Sequence, residues 1–540
     1  MTVAAALSTT RARSALLLLA LAAARCAQPN APAPPAPEVG DEVAPTQTAP
    51  PEIEPPFRRE APFDLVIRGG DVIDGQGRPR RRADLGIDGG KIVTVGLLDE
   101  AQAARRELDA RGLVVTPGFI DLHSHADPFS STAHLAAMGV TTVVLGQDGV
   151  SPEPSVGELL ARVDRSAIGV NVATLVGHST ARSGGRSRSG PGRAKLVEGR
   201  VATGLGEGAF GVSFGLEYDG ARGADAEELR AALWPARGCG VAMAHLRSED
   251  DDAIEASLRE LVDLGRATAV PVHVAHLKVV LGEGEARAEE VLALLAGARA
   301  EGLRVTADLY PYDASYTTVA ILFPSLARAP NDWPSARRRH RAEIADHLRA
   351  RVTARNGPGA MTFGPGRYEG RTLEEVARAE DRPFEEVLLS VGPGGGEAAY
   401  RVMDPAVVRR LARDPFVAFG TDGSRTSAHP RAHGTFARAL GPWVRDLELF
   451  TLEEAVRKAT SLPASILGLE DRGVVAPGMA ADLVVFDPAA LADRATFQSP
   501  HEEAVGVRHV LVNGAIVRTD ERAAPSPRGG AALRSRCRAR

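Results

Sequence analysis

Short apolar runs alternate with helical stretches along the central part of the chain. Strands that alternate with helices over such a length are typical of an α/β fold in which a parallel sheet closes into a (β/α)8, or TIM, barrel. We therefore predict a barrel over residues 117–470, and an insertion at the Arg- and Gly-rich residues 324–396 between its late units. The apolar runs lie at residues 141–145, 170–175, 241–244, 272–275, 303–307 and 416–419.

The two ends of the folded region share a β-rich pattern. Residues 63–95 contain strand-like runs separated by Gly-Gly and Asp-Gly turns, and similar runs return at 482–486 and 507–512, where an Asn-Gly turn follows. Such turns between apolar runs favour antiparallel strands. We predict one small β-domain made by residues 63–116 and 471–520. The basic residues 521–540, which contain Pro and Gly, are predicted to form a disordered tail.

The N-terminus has the features of an export signal. Arg11 and Arg13 precede the apolar residues 15–24, a run too short to span a bilayer of about 30 Å. We predict a signal peptide at residues 1–27 and an exported, periplasmic location. Cys26 offers the alternative of a lipoprotein anchor, although Arg25 departs from that pattern. The Pro- and Ala-rich residues 28–62 predict a stiff linker.

Composition excludes several classes of function. A chain of 540 residues with 44% hydrophobic residues can bury a large core, which excludes general disorder. The 64 basic and 69 acidic residues give a net charge of −5, so no nucleic-acid partner is expected. Only three cysteines occur, and they are widely spaced, which argues against a disulfide framework or a thiolate zinc cluster. A metal site would therefore use His and carboxylate ligands.

Polar side chains that follow barrel strands point into the site at the C-terminal face of a barrel. His123 and His125 are two residues apart on an extended segment, so both rings leave it on the same side. The other candidates, each at the end of a later apolar run, are Asp148, His245, His276 and Asp422. Together these residues form a nitrogen and oxygen ligand set suited to zinc or a similar divalent ion.

Such a site predicts hydrolysis. A divalent ion lowers the pKa of a bound water to about 7 and polarises a carbonyl group. A neighbouring carboxylate can take the proton of that water and pass it to a leaving nitrogen, and we assign this catalytic role to Asp422. The sequence contains neither a G-x-S-x-G nucleophile motif nor a phosphate-binding glycine loop with its lysine.

With these residues in place, the chain resembles the N-acyl-D-amino-acid deacylases (D-aminoacylases) of the amidohydrolase superfamily from about residue 63 to 518. The segments that carry the resemblance include GFIDLHSHAD, GVTTVVLGQDG, GVSFGLEYDG, AHLRSED, DLYPYDAS and HPRAHGTFARALG. The resemblance implies a metallo-barrel, a small β-sandwich domain built by both chain ends and an insertion near the active site.

Residue by residue, the resemblance implies that His123, His125, His245 and His276 are metal ligands and that Asp422 is the catalytic aspartate. The chain departs from the family at Asp148, where the family has a bridging cysteine. Because carboxylate oxygen is a harder ligand than thiolate, metal identity and occupancy follow less directly. The resemblance implies one tight Zn²⁺ and a weaker second position.

The resemblance also implies how a substrate carboxylate is bound. Lys278, Tyr218 and Tyr310 match the family's carboxylate-binding lysine and tyrosines, and Ser315 lies beside the position of its serine, which strict spacing puts at Tyr316. Arg247 and Arg431 are further candidates.

Three readings of the function stay open. The first is hydrolysis of small-molecule N-acyl-D-amino acids, in which the D-preference comes from the resemblance alone. The second is a cyclic-amide hydrolase of the dihydroorotase or hydantoinase kind, or a dipeptidase, of the same superfamily. The third is a non-catalytic binding lipoprotein. Retention of the four histidines together with Asp422 argues against the third, because a binding module does not need this whole set.

Overall fold

The computed structural model describes residues 57–152, 155–183, 190–524 and 528–537. These residues belong to one compact unit, residues 55–540. The predicted signal peptide and the predicted linker as far as residue 56 lie outside the described residues. In the described part of the chain, no helix is both long and apolar enough to cross a bilayer.

Strands and helices alternate through the middle of the chain, and strands dominate both ends. Within the described ranges the strands are β1 (Leu65–Val72), β2 (Arg81–Asp88), β3 (Lys91–Gly96), β4 (Glu107–Asp109), β5 (Val114–Pro117), β6 (Phe119–Asp121), β7 (Val140–Leu145), β8 (Asn171–Thr174), β9 (Val176–Gly177), β10 (Gly211–Gly215), β11 (Val241–His245), β12 (Val272–Val274), β13 (Val305–Leu309), β14 (Ser315–Thr318), β15 (Met361–Phe363), β16 (Glu397–Tyr400), β17 (Val417–Phe419), β18 (Leu483–Phe486), β19 (Val507–Val512), β20 (Ala515–Thr519) and β21 (Arg522–Ala523). The α-helices are α1 (Ala133–Ala137), α2 (Val156–Arg165), α3 (His178–Ser183), α4 (Pro191–Gly206), α5 (Ala226–Leu233), α6 (Ile254–Thr268), α7 (Gly284–Ala300), α8 (Trp333–Arg339), α9 (Arg341–Ala354), α10 (Leu373–Ala379), α11 (Phe384–Val391), α12 (Pro405–Ala412), α13 (Arg431–Leu440), α14 (Pro442–Arg445), α15 (Leu452–Ala459) and α16 (Ser461–Leu467).

The central strands form a closed parallel barrel, which confirms the predicted fold class. Strands β6, β7 and β8 make one parallel sheet, and β9 to β13 with β17 make another. Strands β8 and β9 are two halves of one barrel strand separated by Leu175, whose N–H still bonds to the Leu145 carbonyl of β7. A bridge between Ser124 and Gly423 joins the first barrel strand to the last, so eight strands close the ring.

Two apolar cores hold this barrel. Ile120, Val144, Ala173 and Met243 belong to a cluster contributed by the barrel strands, and a much larger cluster joins the strands to the surrounding helices. Helix α6 shows the pattern, because its buried residues recur three and four positions apart and form one apolar face.

Both chain ends contribute to a separate sheet of nine strands. Strands β1 to β5 come from the N-terminal side and β18 to β21 from the C-terminal side, and the two groups meet where β5 pairs antiparallel with β18. Its own core includes Ile67, Leu85, Val115, Val485 and Leu511. This sheet is the small β-domain expected from the two β-rich ends.

Residues 57–62, which we predicted to belong to the linker, are instead part of the folded unit. The N–H of Phe57 donates to the Leu97 carbonyl, and the N–H of Arg59 donates to Oε1 of Gln102. The linker prediction is therefore wrong for these residues, because backbone pairing outweighs their Pro-flanked, polar composition.

The insertion lies between β13 and β17 and is wider than predicted. It contains helices α8 to α11 and a small sheet in the order β14, β16, β15, so it begins near Ser315 and ends near Tyr400. The prediction missed its first and last strands because their polar and small residues resemble loop sequence.

The C-terminal residues 528–537, predicted to be disordered, form an ordered strap against the barrel. The N–H of Val172 donates to the Ala531 carbonyl, and the N–H of Leu533 donates back to the Val172 carbonyl. Cys537 at the end of the strap forms a disulfide with Cys239, 298 residues earlier. The tail prediction is wrong here, and one disulfide exists although cysteine spacing argued against a disulfide framework.

Candidate active site and metal centre

Six predicted ligands meet at the C-terminal ends of the barrel strands. One group consists of His123, His125, Asp148 and Asp422, and a second consists of Asp148, His245 and His276. Within each group the donor atoms lie within 4.8 Å of one another. Asp148 belongs to both groups, so its carboxylate lies between two adjacent positions for a cation.

The distances place both carboxylates against the imidazoles. Nε2 of His125 lies 3.3 Å from Asp148 Oδ2 and 3.3 Å from Asp422 Oδ1. Nε2 of His123 lies 3.5 Å from Asp148 Oδ1, and Nε2 of His276 is equally distant from the same oxygen. Nitrogen and oxygen donors therefore face a common centre from different strands.

The unsatisfied polar atoms in this cluster fit a divalent cation. Among the described residues, neither ring nitrogen of His123 nor Oδ1 of Asp148 has a hydrogen-bond partner, although all three atoms are buried. Buried polar atoms without partners are rare, because the lost hydration is not replaced. Imidazole nitrogen and carboxylate oxygen are ligands that zinc accepts, so the residues present suit such an ion.

Three of these ligands have an unusual backbone. Asp148, His276 and Asp422 have φ angles of 53°, 37° and 47°, in the left-handed region that non-glycine residues rarely adopt. Hydrogen bonds hold two of them: the N–H of His276 donates to Asp308 Oδ1 at 2.8 Å, and the N–H of Asp422 donates to the His123 carbonyl at 2.7 Å. Strain of this kind clusters at functional sites, where the surrounding structure maintains it.

A buried aspartate not identified from the sequence supports the loop that carries Asp422. Asp121 accepts hydrogen bonds from the backbone N–H of Thr421 at 2.8 Å and from its hydroxyl at 2.7 Å. Burial raises the pKa of Asp121 to about 7. These bonds tie the first barrel strand to the loop after the last strand. The sequence signal was its position two residues before His123.

Asp422 is a buried carboxylate held in its charged form. Burial alone would raise its pKa, but Arg431, His276 and His123 outweigh that effect and hold the pKa well below its usual range. Its Oδ2 accepts a hydrogen bond from Arg431 at 2.5 Å, while Oδ1 faces the two histidines of the HxH pair. One oxygen is therefore fixed by the guanidinium and the other is directed to the centre.

Lys278 and the unpredicted Glu249 form a buried ion pair beside His276. Nζ of Lys278 donates to Glu249 Oε1 at 2.6 Å and lies 2.7 Å from His276 Nδ1. The same carboxylate oxygen lies 3.1 Å from His276 Nδ1. Groups that contact the far nitrogen of a metal-ligating histidine orient its ring. Glu249 follows His245 by four residues, in the AHLRSED segment, and that position was its only sequence signal.

Glu217 is a second carboxylate that sequence reasoning missed. Its Oε2 lies 3.0 Å from His245 Nε2, and Glu217, His245 and Glu249 form a further group of donor atoms within 4.8 Å. The residue follows strand β10, so the rule that polar residues after barrel strands enter the site would have found it.

Most of the expected substrate-binding residues line one cavity next to the cluster. Tyr218, Lys278, Tyr310, Ser315 and Arg431 surround it together with Asp422 and His276. The hydroxyl of Tyr310 is buried without a hydrogen-bond partner among the described residues, and Nε of Arg431 has the same property. The cavity therefore presents donors that an incoming anion could satisfy.

Arg247 does not line this cavity, which corrects its expected role. Its guanidinium binds the carboxylate of Glu260 through two nitrogens, at 2.7 and 2.8 Å, and donates to the carbonyls of Arg222 and Ala224. These partners occupy its donors in a partly exposed salt bridge. The HLRSE segment gave no way to separate this structural role from substrate binding.

Comparisons with known proteins find relatives that are amidohydrolases. The model of the Amidohydrolase family matches residues 106–518. An N-acyl-D-glutamate deacylase of Alcaligenes xylosoxydans xylosoxydans is 38% identical over 507 residues, which cover 87% of this chain and 96% of the relative.

Two solved structures are similar to this chain over 88% of its length. One is N-acyl-D-glutamate deacylase from Bordetella bronchiseptica, complexed with zinc and a phosphonate mimic of the tetrahedral intermediate; it has a TM-score of 0.77, is 32% identical, and the match covers 88% of this chain and all of that chain. The other is D-aminoacylase, from work on one-metal activation and second-metal attenuation at its binuclear metal centre, with a TM-score of 0.75, 34% identity and coverage of 88% and 100%.

Proposed function

Since the chain belongs to the amidohydrolase family, we propose that it hydrolyses N-acyl-D-amino acids to a carboxylate and a free D-amino acid. The observation that carries the proposal is the meeting of a histidine and aspartate cluster with a donor-lined cavity at one end of the barrel. The preference for the D-configuration rests on the similar deacylases.

We assign a divalent ion, with zinc as the expected metal, to the cluster. His245, His276 and Asp148 would hold one position, and His123, His125 and Asp422 would hold a second that shares Asp148; we expect one of the two to bind tightly and the other weakly. When bound, the ion supplies Lewis acidity, which polarises an amide carbonyl and makes a water more acidic. The zinc in the similar Bordetella bronchiseptica deacylase supports this assignment.

Asp422 acts as the general base and then as the general acid. Because it is buried and ionised, its Oδ1, which faces the centre and not Arg431, can accept the proton of the attacking water. The protonated carboxyl can then donate that proton to the departing nitrogen, so the amine leaves as a neutral group. Arg431 keeps the carboxylate oriented through Oδ2 during both transfers.

The cavity residues bind the substrate carboxylate. Lys278, Arg431 and the hydroxyl of Tyr310 place positive charge and donors on one side of the cavity, and Tyr218 covers His245 with its hydroxyl 3.3 Å from Nδ1. Fixed donors of this kind hold the scissile amide in one orientation, and orientation lowers the activation barrier.

The first test is the hydrolysis of paired N-acetyl-D- and N-acetyl-L-amino acids by zinc-loaded protein. We expect release from the D series, loss of that release with a chelator and recovery when zinc is restored. Equal activity on the L series would contradict the stereochemical part of the proposal. Activity on cyclic amides or dipeptides alone would favour the other hydrolase reading, and absence of any turnover by metal-loaded protein would favour a binding module.

We further propose that the protein is exported, to the periplasm or to a lipid anchor at Cys26. The Cys239–Cys537 disulfide supports this, because disulfides persist mainly in oxidising compartments. Fractionation of cells that produce the full chain should find the processed protein outside the cytoplasm. Incorporation of labelled fatty acid that Cys26→Ser abolishes would establish the anchor, and cytoplasmic protein with free thiols would contradict export.

A further inference from the structure

One ring nitrogen of His245 is bound to a carboxylate from the neighbouring barrel strand. Nε2 of His245 lies 3.0 Å from Oε2 of Glu217, and the histidine side chain is only 5% exposed. A carboxylate accepts hydrogen bonds and does not donate them, so Nε2 carries the proton in this pair. In a neutral imidazole the other nitrogen, Nδ1, then keeps its lone pair.

That lone pair faces the metal cluster. Nδ1 of His245 lies 3.0 Å from His276 Nε2, and the hydroxyl of Tyr218 lies 3.3 Å from the same Nδ1. His276 Nε2 in turn lies 3.5 Å from Asp148 Oδ1. Ligand atoms of one zinc ion are separated by distances of this order, because each lies about 2 Å from the metal. Glu217 therefore binds the ring nitrogen that the cation does not need.

The geometry argues against a further cation held by Glu217, His245 and Glu249, although their donor atoms also lie within 4.8 Å of one another. Such an ion would need a lone pair from His245, whose two nitrogens are already divided between Glu217 and the cluster. Glu249 is engaged as well, because its Oε1 accepts from Lys278 at 2.6 Å. Glu217 is thus placed to support a ligand and not to be one.

Backbone pairing aligns the two strands that bring Glu217 and His245 together. Gly215 of β10 pairs with His245 of β11 in a parallel register. Beyond this pair, the N–H of Leu216 donates to the His245 carbonyl at 3.1 Å. The next residue, Glu217, therefore leaves the barrel beside the His245 ring.

A buried arginine of the insertion holds the loop that follows β10. Arg328 comes directly after the 3₁₀ turn Ser325–Ala327, and its side chain is 8% exposed. Its Nη2 donates to the Glu217 carbonyl at 3.4 Å and lies 3.0 Å from Asp219 Oδ1. One guanidinium group therefore contacts the residues on both sides of Tyr218.

We infer that Glu217 is a positioning residue for the metal centre and that Arg328 of the insertion fixes its loop. This inference rests on the proposed metal-dependent function. A hydrogen bond to the far nitrogen of a ligating histidine selects its tautomer and holds its ring in one orientation. The insertion thus contributes to metal affinity as well as to the cavity wall, which it lines with Thr317 and Ile321.

Two substitutions at Glu217 test this role by a measurement that needs no substrate. Glu217→Leu removes the acceptor and should raise the dissociation constant for Zn²⁺ by about 10- to 100-fold, measured by competition with a chromogenic chelator. Glu217→Gln is the matched control, because its amide oxygen still accepts the Nε2 proton, and it should stay within about fivefold of the wild type. His245→Ala identifies the binding step that belongs to this position. The Glu217 side chain is 23% exposed, so we expect both variants at Glu217 to fold.

The same two variants distinguish the other possible roles of Glu217. If Glu217 were a ligand, Glu217→Gln would lose as much Zn²⁺ affinity as Glu217→Leu. If it only contacted the substrate, KM would rise in both variants while the Zn²⁺ affinity stayed unchanged. If its role were merely structural, the Tm would fall and the folded protein would keep its Zn²⁺ affinity. Each of these three results would overturn the inference.

A double-mutant cycle tests the link to the insertion. Arg328→Gln should weaken Zn²⁺ binding by about three- to tenfold, and adding it to Glu217→Leu should cause little further loss, because Arg328 acts through Glu217. Arg328→Lys repeats the cycle with the buried charge retained. Arg222→Gln is the matched control, because Arg222 lies 3.5 Å from the same Asp219 oxygen but belongs to the loop itself. An unchanged affinity in Arg328→Gln, additive losses in the cycle or an equal loss in Arg222→Gln would remove Arg328 from this role.

The binding measurements also separate this inference from the proposed function. Absence of hydrolysis by wild-type protein that binds Zn²⁺ would overturn the deacylase proposal alone. Equal Zn²⁺ affinity of the wild type and Glu217→Leu, with hydrolysis of the D series intact, would overturn the inference alone. Failure of the wild-type protein to bind Zn²⁺ would overturn both.

Discussion

The two ends of the barrel differ in whether their buried polar groups have hydrogen-bond partners. At the mouth, where the strands end, Asp148, His276 and Asp422 have left-handed backbones, and the ring of His123 is buried without hydrogen bonds. At the base, where the strands begin, Asn171 donates to Asp482 at 2.9 Å and accepts from Asn513 at 2.7 Å.

The strap completes the contrast at the base. Leu533 packs into the same apolar cluster as Phe210 and Val241, and the Cys239–Cys537 disulfide holds the strap in place. In barrels of this kind the C-terminal face carries chemistry and the opposite face carries stability. The same strands therefore serve both purposes, and substitutions at the two ends should separate activity from stability.

The largest expected effect is at the mouth. Asp422→Asn should lower kcat by about 1,000-fold, because the amide cannot take up the proton of the attacking water. The neutral side chain keeps its size, so we expect much of the bound metal to remain, while the buried guanidinium of Arg431, left without its charged partner, should lower the Tm. Steady-state kinetics and metal analysis on the same samples test this. Turnover like that of the wild type would remove Asp422 from the role of base.

The second effect concerns the departure from the family at Asp148. Asp148→Ala should weaken zinc binding by more than about 100-fold, as loss of a ligand exceeds the 10- to 100-fold typical of residues behind the ligands. Asp148→Cys is the informative partner, because it restores the family's thiolate and should shift metal content or rate. Competition with a chromogenic chelator measures the affinity. Unchanged metal content and rate in both variants would show that Asp148 is not a ligand.

The third effect is at the base and should leave the mouth intact. Cys537→Ser should lower the free energy of unfolding by about 2 kcal/mol, because the unfolded chain gains conformational freedom when the cross-link is removed. We expect kcat and KM to stay at wild-type values, which would confirm the separation of the two ends. Cys239→Ser is the matched variant and should have the same effect on Tm. A large loss of kcat in both would show that the base influences the site.

Most of the fold was predictable because its signals are local. Apolar runs and turn residues mark the barrel strands and the β-rich chain ends, and each run needs only its own neighbours in sequence to be recognised. The strap was not predictable for the opposite reason. Its residues are basic and small, and their order comes from Val172, Asn171 and Cys239, which lie hundreds of residues away.

The site residues divide in the same way, into those with a local sequence signal and those whose place depends on distant partners. His123, His125, His245 and His276 were identifiable because polar side chains after barrel strands point into the site, and the structure brings them together. Which arginine enters the cavity was not readable, since Arg247 and Arg355 are distinguished only by distant partners. Glu260 occupies the first, and the fold brings the second from the insertion to the cavity wall.

A smaller effect tests the outer part of the mouth at low pH. Burial, with help from His433 and Arg425, lowers the pKa of His134 to about 3, so the folded state keeps this ring neutral. The unfolded chain takes up the proton near pH 6.5, so this stability is present above pH 6.5 and is lost as the pH falls toward 3. At pH 5.5 the loss should reach about 1 kcal/mol relative to pH 7.5.

His134→Leu should flatten this part of the pH dependence. Urea unfolding at the two pH values measures it, and His340→Leu, at an exposed position, is the control. If the wild-type protein and His134→Leu lost the same free energy of unfolding between the two pH values, the assignment of acid sensitivity to His134 would be wrong.

The smallest expected effect concerns Arg247, which the structure removes from the cavity. Arg247→Gln leaves Glu260 without its bidentate partner, but the pair is about one third exposed on both sides, so solvent screens most of the interaction. We expect less than about 1 kcal/mol of stability to be lost and kcat/KM to stay within about twofold for every N-acyl-D-amino acid, since no donor leaves the cavity. If Arg247→Gln instead raised KM tenfold for all substrates, the guanidinium would have to leave Glu260 and enter the cavity when substrate binds. The loop after β11 that carries Arg247 would then belong to the substrate-binding part of the mouth and not only to its structural part.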